Sequence, residues 1–306
     1  MRTTRISLAL AVVAGLAAAA PPTLASEEID VDLELIFAVD VSGSVDYEEA
    51  KLQREGYLTA LAHPQVLAAV RSGMLGRIAI AYFEWSSHGQ NALVANWAII
   101  DGEASAKAFV KNVADIPVTR GRYTSIAGAI ELGMPMFNGN GLNGTRRVID
   151  VSGDGPNNSG PLVTFSRDAA VAAGITINGL PIVNERAEPF GARQLPDLDL
   201  YYEACVIGGS RAFMVVAQDF TAFADAVRKK LVIEIAGLSA EDLAGGPKAR
   251  ALGMPDIAAE APSPIRFVGT EIAQGRPGAA AERVAPACDI GERMMQDRMR
   301  GFDPNR

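Results

Sequence analysis

Leu33-Glu34-Leu35-Ile36-Phe37-Ala38-Val39-Asp40-Val41-Ser42-Gly43-Ser44 begins as a nearly unbroken apolar run and ends in a loop of hard oxygen donors. A strand with one solvated face alternates apolar and polar residues. This one does not, so it reads as a strand buried on both faces, the kind that parallel sheets contain. The polar residues then arrive together, at Asp40, Ser42 and Ser44, and Gly43 lets the loop turn closely. In an open parallel sheet, ligands bind outside the carboxyl ends of the strands, which is where this loop must lie.

Working outward, Tyr47 to Leu61 has the spacing of a helix, and His63-Pro64 bends or ends it. Arg77 to Phe83 and Ala92 to Ile100 are strands close enough to pair as a hairpin about Ser86-Ser87-His88-Gly89. Ser105 to Val113 and Ser125 to Phe137 are helical, and Asn138 to Gly141 is a loop. Arg147 to Val151 is a strand that ends in Ser152-Gly153-Asp154-Gly155. A helix over Leu162 to Ala173, closed by Gly174, precedes a strand over Ile175 to Ile182. Residues 184–200 read as a loop, with a short helix near Leu198 to Ala204. Ala212 to Val216 is a strand, and Asp219 to Ile235 an amphipathic helix. Strands alternating with helices predict an α/β fold: a doubly wound, mostly parallel sheet with one antiparallel strand and helices on both faces. The unit spans residues 31–236.

The flanks differ in character. Arg2 and Arg5, an apolar run from Ile6 to Ala20, and small residues before Ser26 have the order of a secretory signal over residues 1–25. That run is shorter than the ~20 residues a membrane span needs, and Pro21-Pro22 interrupts it. The mature chain is therefore expected in the periplasm or outside the cell, with no stable span and a short lead over residues 26–30. Residues 237–306 are rich in Ala, Gly and Pro and read as a linker-like, largely flexible tail, with a short helix at Glu292 to Arg300.

Composition narrows the function. The 306 residues are 49% hydrophobic and 21% charged, near the globular average, which argues against a disordered chain. A net charge of -8 makes a nucleic-acid partner a poor fit but suits a cation or a basic partner. Two Cys and two His cannot make a disulfide scaffold and hardly make a structural zinc site.

Two apolar strands end in carboxylates, Asp40 and Asp154, and Thr124 sits on the loop entering the Ser125 helix. Ser42, Ser44 and Thr124 supply hydroxyls. Such a set suits Mg²⁺, with Mn²⁺ or Ca²⁺ as further possibilities, and suits Zn²⁺ poorly. Two negative charges leave a divalent ion electrophilic, able to accept one more carboxylate from outside. Arg122, Tyr123 and Asn157 stand as candidate rim residues, and Arg120 flanks the same loop. Asp46 is read as a helix start before a second cation site.

Asp40-Val41-Ser42-Gly43-Ser44 resembles the metal-ion-dependent adhesion site motif of von Willebrand factor type A (VWA) domains. Arg122-Tyr123-Thr124-Ser125 matches that motif's Thr position, and Ser152-Gly153-Asp154-Gly155 its closing Asp. The resemblance implies metal contact by Ser42, Ser44 and Thr124, with Asp40 and Asp154 bound directly or through water. Tyr201-Tyr202, Val206-Ile207-Gly208-Gly209 and Lys229-Lys230-Leu231 further resemble exported bacterial proteins grouped as domain of unknown function 1194. The function so implied is protein–protein interaction through a partner's carboxylate.

Other chemistries have less support. An Asp-initiated phosphatase loop would want a carboxylate at position 42, which is Ser. No Gly-x-Ser-x-Gly elbow or phosphate loop is present. A hydrolase using Ser42 or Ser44, and a purely structural cation site, stay as alternatives. Cys205 and Cys288 would pair in an oxidising compartment; the sequence equally allows a buried Cys205 and a separate Cys288, because it supplies no geometry.

Overall fold

The computed structural model describes residues 28–183, 194–220, 222–254, 265–267 and 283–301. The expected signal segment, most of the 184–200 loop and much of the tail lie outside these. The main sheet has seven strands in the order β4-β3-β2-β6-β7-β8-β9. They are β2 (Glu34–Asp40), β3 (Ile78–Trp85), β4 (Asn91–Ile100), β6 (Arg147–Gly153), β7 (Thr176–Pro181), β8 (Phe213–Val215) and β9 (Ile265–Phe267). Two short strands, β1 (Ile29–Val31) and β5 (Leu142–Gly144), pair in parallel beside it.

β2 lies at the centre, parallel to β3 on one side and β6 on the other. Every residue of β2 is buried, as the unbroken apolar run requires. Its odd positions Leu35, Phe37 and Val39 join one core, and Ile36 and Ala38 join the other. The first core packs α1 (Tyr47–Leu61), α2 (Pro64–Arg71), α3 (Glu103–Ala114) and α7 (Phe223–Ala236) on one face. The second packs α4 (Ile126–Met136), α5 (Val163–Ala172) and α6 (Leu198–Tyr201) on the other. Phe37, Tyr57, Tyr82 and Phe223 cluster between sheet, α1 and α7, edge-on except for the tilted Phe37–Tyr57 pair.

His63-Pro64 both ends α1 and starts α2. His63 Nδ1 accepts the Gln65 amide, and Pro64 takes the first helical position, where a missing N–H does no harm. The expected helix near Leu198 divides into α6 and a π-helical turn, Tyr202–Val206.

Within residues 31–236 the sheet is parallel but for β4 at one edge, as expected, and β9 from the tail adds a second antiparallel strand, against β8, at the other edge. One expectation needs correction: the tail is not a linker where it is described. α8 (Ala240–Leu243) and α9 (Pro247–Ala251) follow α7 directly, and α10 (Ile290–Gly301) sits beside the second core. The reason is a few widely spaced anchors. Leu238, Leu243, Leu252, Met254, Ile265 and Phe267 are buried, yet the Ala, Gly and Pro between them hide any period. Phe267 stacks on Phe213 with ring centroids 5.4 Å apart, while Arg266 between the buried pair reaches Asp199 at 2.6 Å and Glu203 at 2.9 Å. Cys205 and Cys288 form a disulfide with Cα atoms 5.4 Å apart.

Candidate metal centre

Three loops meet at the carboxyl edge of the central strands. The first follows β2 and carries Asp40, Ser42 and Ser44. Asp40 Oδ1 accepts the Ser42 amide at 2.7 Å, which curls the loop back on its own strand. Gln53 of α1 donates to the Asp40 carbonyl, and the Arg120 guanidinium donates twice to the Val45 carbonyl. The second loop carries Thr124 and packs tightly: a Cβ on Gly43 would stand 2.7 Å from the Arg122 carbonyl oxygen, so only glycine fits. The third follows β6 and carries Asp154.

The sequence-predicted donors converge. Ser44 Oγ donates to Asp154 Oδ1 at 2.6 Å, although 110 residues separate them. Ser42 and Ser44 hydroxyls lie 3.3 Å apart, and Thr124 Oγ1 donates to Ser42 Oγ at 3.2 Å. Asp40, Ser42, Thr124 and Asp154 are all buried, and Ser44 is half-buried. Asp40 Oδ2 is buried with no hydrogen-bond partner. Burial, and then the charge of Asp154, push the Asp40 carboxyl well above the usual range. Two desolvated carboxylates with an orphaned oxygen and three convergent hydroxyls fit a hard divalent cation, which would supply the missing charge. Among the described residues no three His, Cys, Asp or Glu gather as a metal cluster; this donor set leans on hydroxyls instead.

The flanking residues divide. Arg122 is exposed, lies over the Tyr123 ring at 5.2 Å and has its carbonyl beside Gly43, so its side chain meets solvent next to the first loop. Asn157 does not. It is fully buried because each polar group of its side chain is used: Oδ1 accepts the Ala127 amide, and Nδ2 donates to the Pro161 carbonyl and to Glu292 Oε1. Its neighbour Asn158 accepts the Thr124 amide at 2.9 Å and donates its own amide to the Thr124 carbonyl at 2.8 Å. That reciprocal pair positions the Thr124 loop. Asp46 caps α1, accepting the Glu49 amide while Glu49 accepts the Asp46 amide. Trp85 is a packed core side chain. His88 lies 3.9 Å from Glu131 and His63 caps α2, so neither imidazole bonds Ser42 or Ser44.

Two contributors escape sequence reasoning. Tyr202 lies beneath the loops: a Cβ on Gly153 would meet both its hydroxyl and Asp40 Oδ2 at 2.9 Å. Burial, then the Asp40 charge, push the Tyr202 phenol well up. Gln194 donates to the carbonyls of Asp154 and Ile182 at 2.8 and 2.9 Å. Both reach the site only through the fold, and no local spacing could reveal them.

A central Asp-x-Ser-x-Ser strand end in a sheet of this order defines a VWA-like domain. The chain belongs to the family described as protein of unknown function (DUF1194), whose model matches residues 30–239. No curated protein matches it. Among solved structures it is similar to proximal thread matrix protein 1 from the mussel byssus, at 16% identity, covering 68% of this chain and 49% of that one, with a TM-score of 0.49. The chain thus spans about half the length of that protein, which has also been solved with a zinc-occupied MIDAS motif. It is also similar to a von Willebrand factor type A structure from Catenulispora acidiphila, at 16% identity, covering 67% and 43%, with a TM-score of 0.45. A third is the pilus adhesin SpaC from Lactobacillus rhamnosus GG, at 13% identity, covering 67% and 30%, with a TM-score of 0.46.

Proposed function

We propose that this protein is an exported interaction module. Asp40, Ser42, Ser44, Thr124 and Asp154 hold a divalent cation, Mg²⁺ in the first instance and Mn²⁺ or Ca²⁺ as substitutes. The open coordination position then takes a carboxylate from a protein partner. The observation that supports this best is the Asp40 oxygen left without a partner beneath three touching hydroxyls and a second carboxylate. Arg122, exposed beside the first loop, would favour an acidic approach. Export is supported by the signal-like order of residues 1–25 and by the Cys205–Cys288 bridge, since disulfides persist in oxidising compartments. Among the described residues no helix is long and apolar enough to cross a membrane.

The test is a calorimetric titration of Mg²⁺, Mn²⁺ and Ca²⁺ into the metal-stripped protein and its Asp154→Asn variant. Saturable binding that the variant loses supports the reading, and equal heats in both sink it. A cation that binds but never raises affinity for an immobilised acidic peptide reduces the site to a structural one.

A further inference from the structure

At the opposite, amino-terminal edge of the sheet lies a cavity of about 280 Å³ that the carboxyl-edge site does not use. Arg146 and Arg147 enter it from the start of β6, and Ser210 and Arg211 from the loop before β8. Gly237, just past α7, lies between them: a Cβ there would stand 3.7 Å from Arg146 Nη1 and 4.0 Å from Arg211 Nη1. Two guanidinium groups thus border one small space.

Neither has a hydrogen bond to a carboxylate among the described residues. Arg146 donates to the carbonyls of Glu234 and Ile235 at 2.7 and 2.9 Å, and Arg211 to that of Gly237 at 2.6 Å. Each guanidinium has five N–H donors, so most remain unused. Capping α7 explains one donor per carbonyl and not the accumulation of charge. The α7 end carries about half a negative charge; Glu234 at the cavity wall is already bonded by Lys230 and Asn178, and Asp32 and Asp242 act on Arg146 and Arg211 through charge alone. Arg147, the third, lies 3.5 Å from Glu34. Burial, foremost, and the nearby Arg211 lower Arg146, against the pull of Glu234.

The backbone adds a separate clue. Arg211 has φ 61°, a left-handed conformation that a long side chain adopts only when its surroundings enforce it. Gly209, two residues earlier, is left-handed as well, so this loop had a glycine to spend on the turn and still holds an arginine in the strained position.

We propose that this cavity binds a tetrahedral oxyanion, phosphate or sulfate. Arg146 and Arg211 come from two different elements, and the four oxygens of such an ion offer more acceptors to them than the two of a carboxylate.

The test is calorimetry of sodium phosphate, sulfate and acetate at constant ionic strength, on the full protein and on Arg211→Gly and Arg211→Lys. Glycine suits the left-handed backbone, so Arg211→Gly keeps the fold, as its melting temperature verifies. Saturable phosphate or sulfate binding, weakened about tenfold or more in Arg211→Gly and partly kept in Arg211→Lys, is the expected result. Acetate binding as tightly, equal affinity in Arg211→Gly, or no saturable heat in the native protein would each overturn the proposal.

Discussion

Thr124 is the residue at which local and distant demands meet. Its backbone is fixed by Asn158 and its hydroxyl points at Ser42. Thr124→Ala removes one donor and leaves both backbone bonds in place. Even outer-shell groups at metal sites are worth about 10–100-fold in affinity, so Thr124→Ala should weaken Mn²⁺ binding at least about tenfold in calorimetry. Its melting temperature should barely move. Asp40 sets the response to pH. Its carboxyl is raised in the folded state by burial and by Asp154, so folding favours the protonated form. Metal-free stability should therefore be fullest below the ordinary Asp range and fall as pH rises above it. A bound cation replaces the proton, so Mn²⁺ should stabilise more at pH 8 than at pH 5. Melting curves at both values check this, and an equal Mn²⁺ shift would contradict it. The donors themselves were legible in the sequence because each stands at a strand end or loop entry. The true place of Asn157 was not, since asparagine suits a turn or a buried network equally and only the fold brings Tyr201, Pro161 and Glu292 around it.

Helix α1 leaves the first loop through the Asp46 capping box. Asp46→Ala should cost about 1 kcal/mol of stability while Mn²⁺ affinity stays unchanged; a lost affinity would make Asp46 part of the site. On the same face, α7 brings Lys230 into the core. Its ammonium lies 2.8 Å from Asp150 of β6 and 3.1 Å from Glu234, one turn on, and Asn178 of β7 donates to Glu234. Burial pushes Asp150 up to about 7, against the pull of Lys230. Lys230→Met would leave two buried carboxylates uncompensated, and removing one partner of such a group destabilises by about 3–5 kcal/mol. Denaturant titration should show that loss, larger at pH 8 than at pH 5 because Asp150 ionises as pH rises through about 7. Amphipathic periodicity predicted α7 itself, and Glu234 stands one turn from Lys230 in the sequence, but Asp150 became a partner only once β6 was placed. β9 was missed for a different reason: three residues are too few to show the alternation that Ile265, Arg266 and Phe267 obey.

Over the whole molecule, the doubly wound core follows from strand and helix order, while the closure of the chain on itself does not. The Cys205–Cys288 bridge spans 83 residues and ties α10 to the π-helical turn. From α10, Glu292 holds Asn157 on the loop that carries Asp154. In the chain-entropy account a loop of this length is worth about 4–5 kcal/mol. Cys288→Ser should lower the melting temperature and make the chain beyond residue 254 the first site of proteolysis. Unchanged digestion would mean that packing of Ile290 and Met294, rather than the bridge, holds the tail. The sequence left the pairing open because one thiol sits in a core position and the other in a segment without period.

The central claim is that the five carboxyl-edge donors hold a cation. Anomalous scattering from crystals of the protein grown with Mn²⁺ tests it most directly. The account predicts one strong peak enclosed by the hydroxyls of Ser42, Ser44 and Thr124 and the carboxylates of Asp40 and Asp154, absent from crystals of Asp154→Asn. An ordered native site without a peak at saturating Mn²⁺ would contradict it.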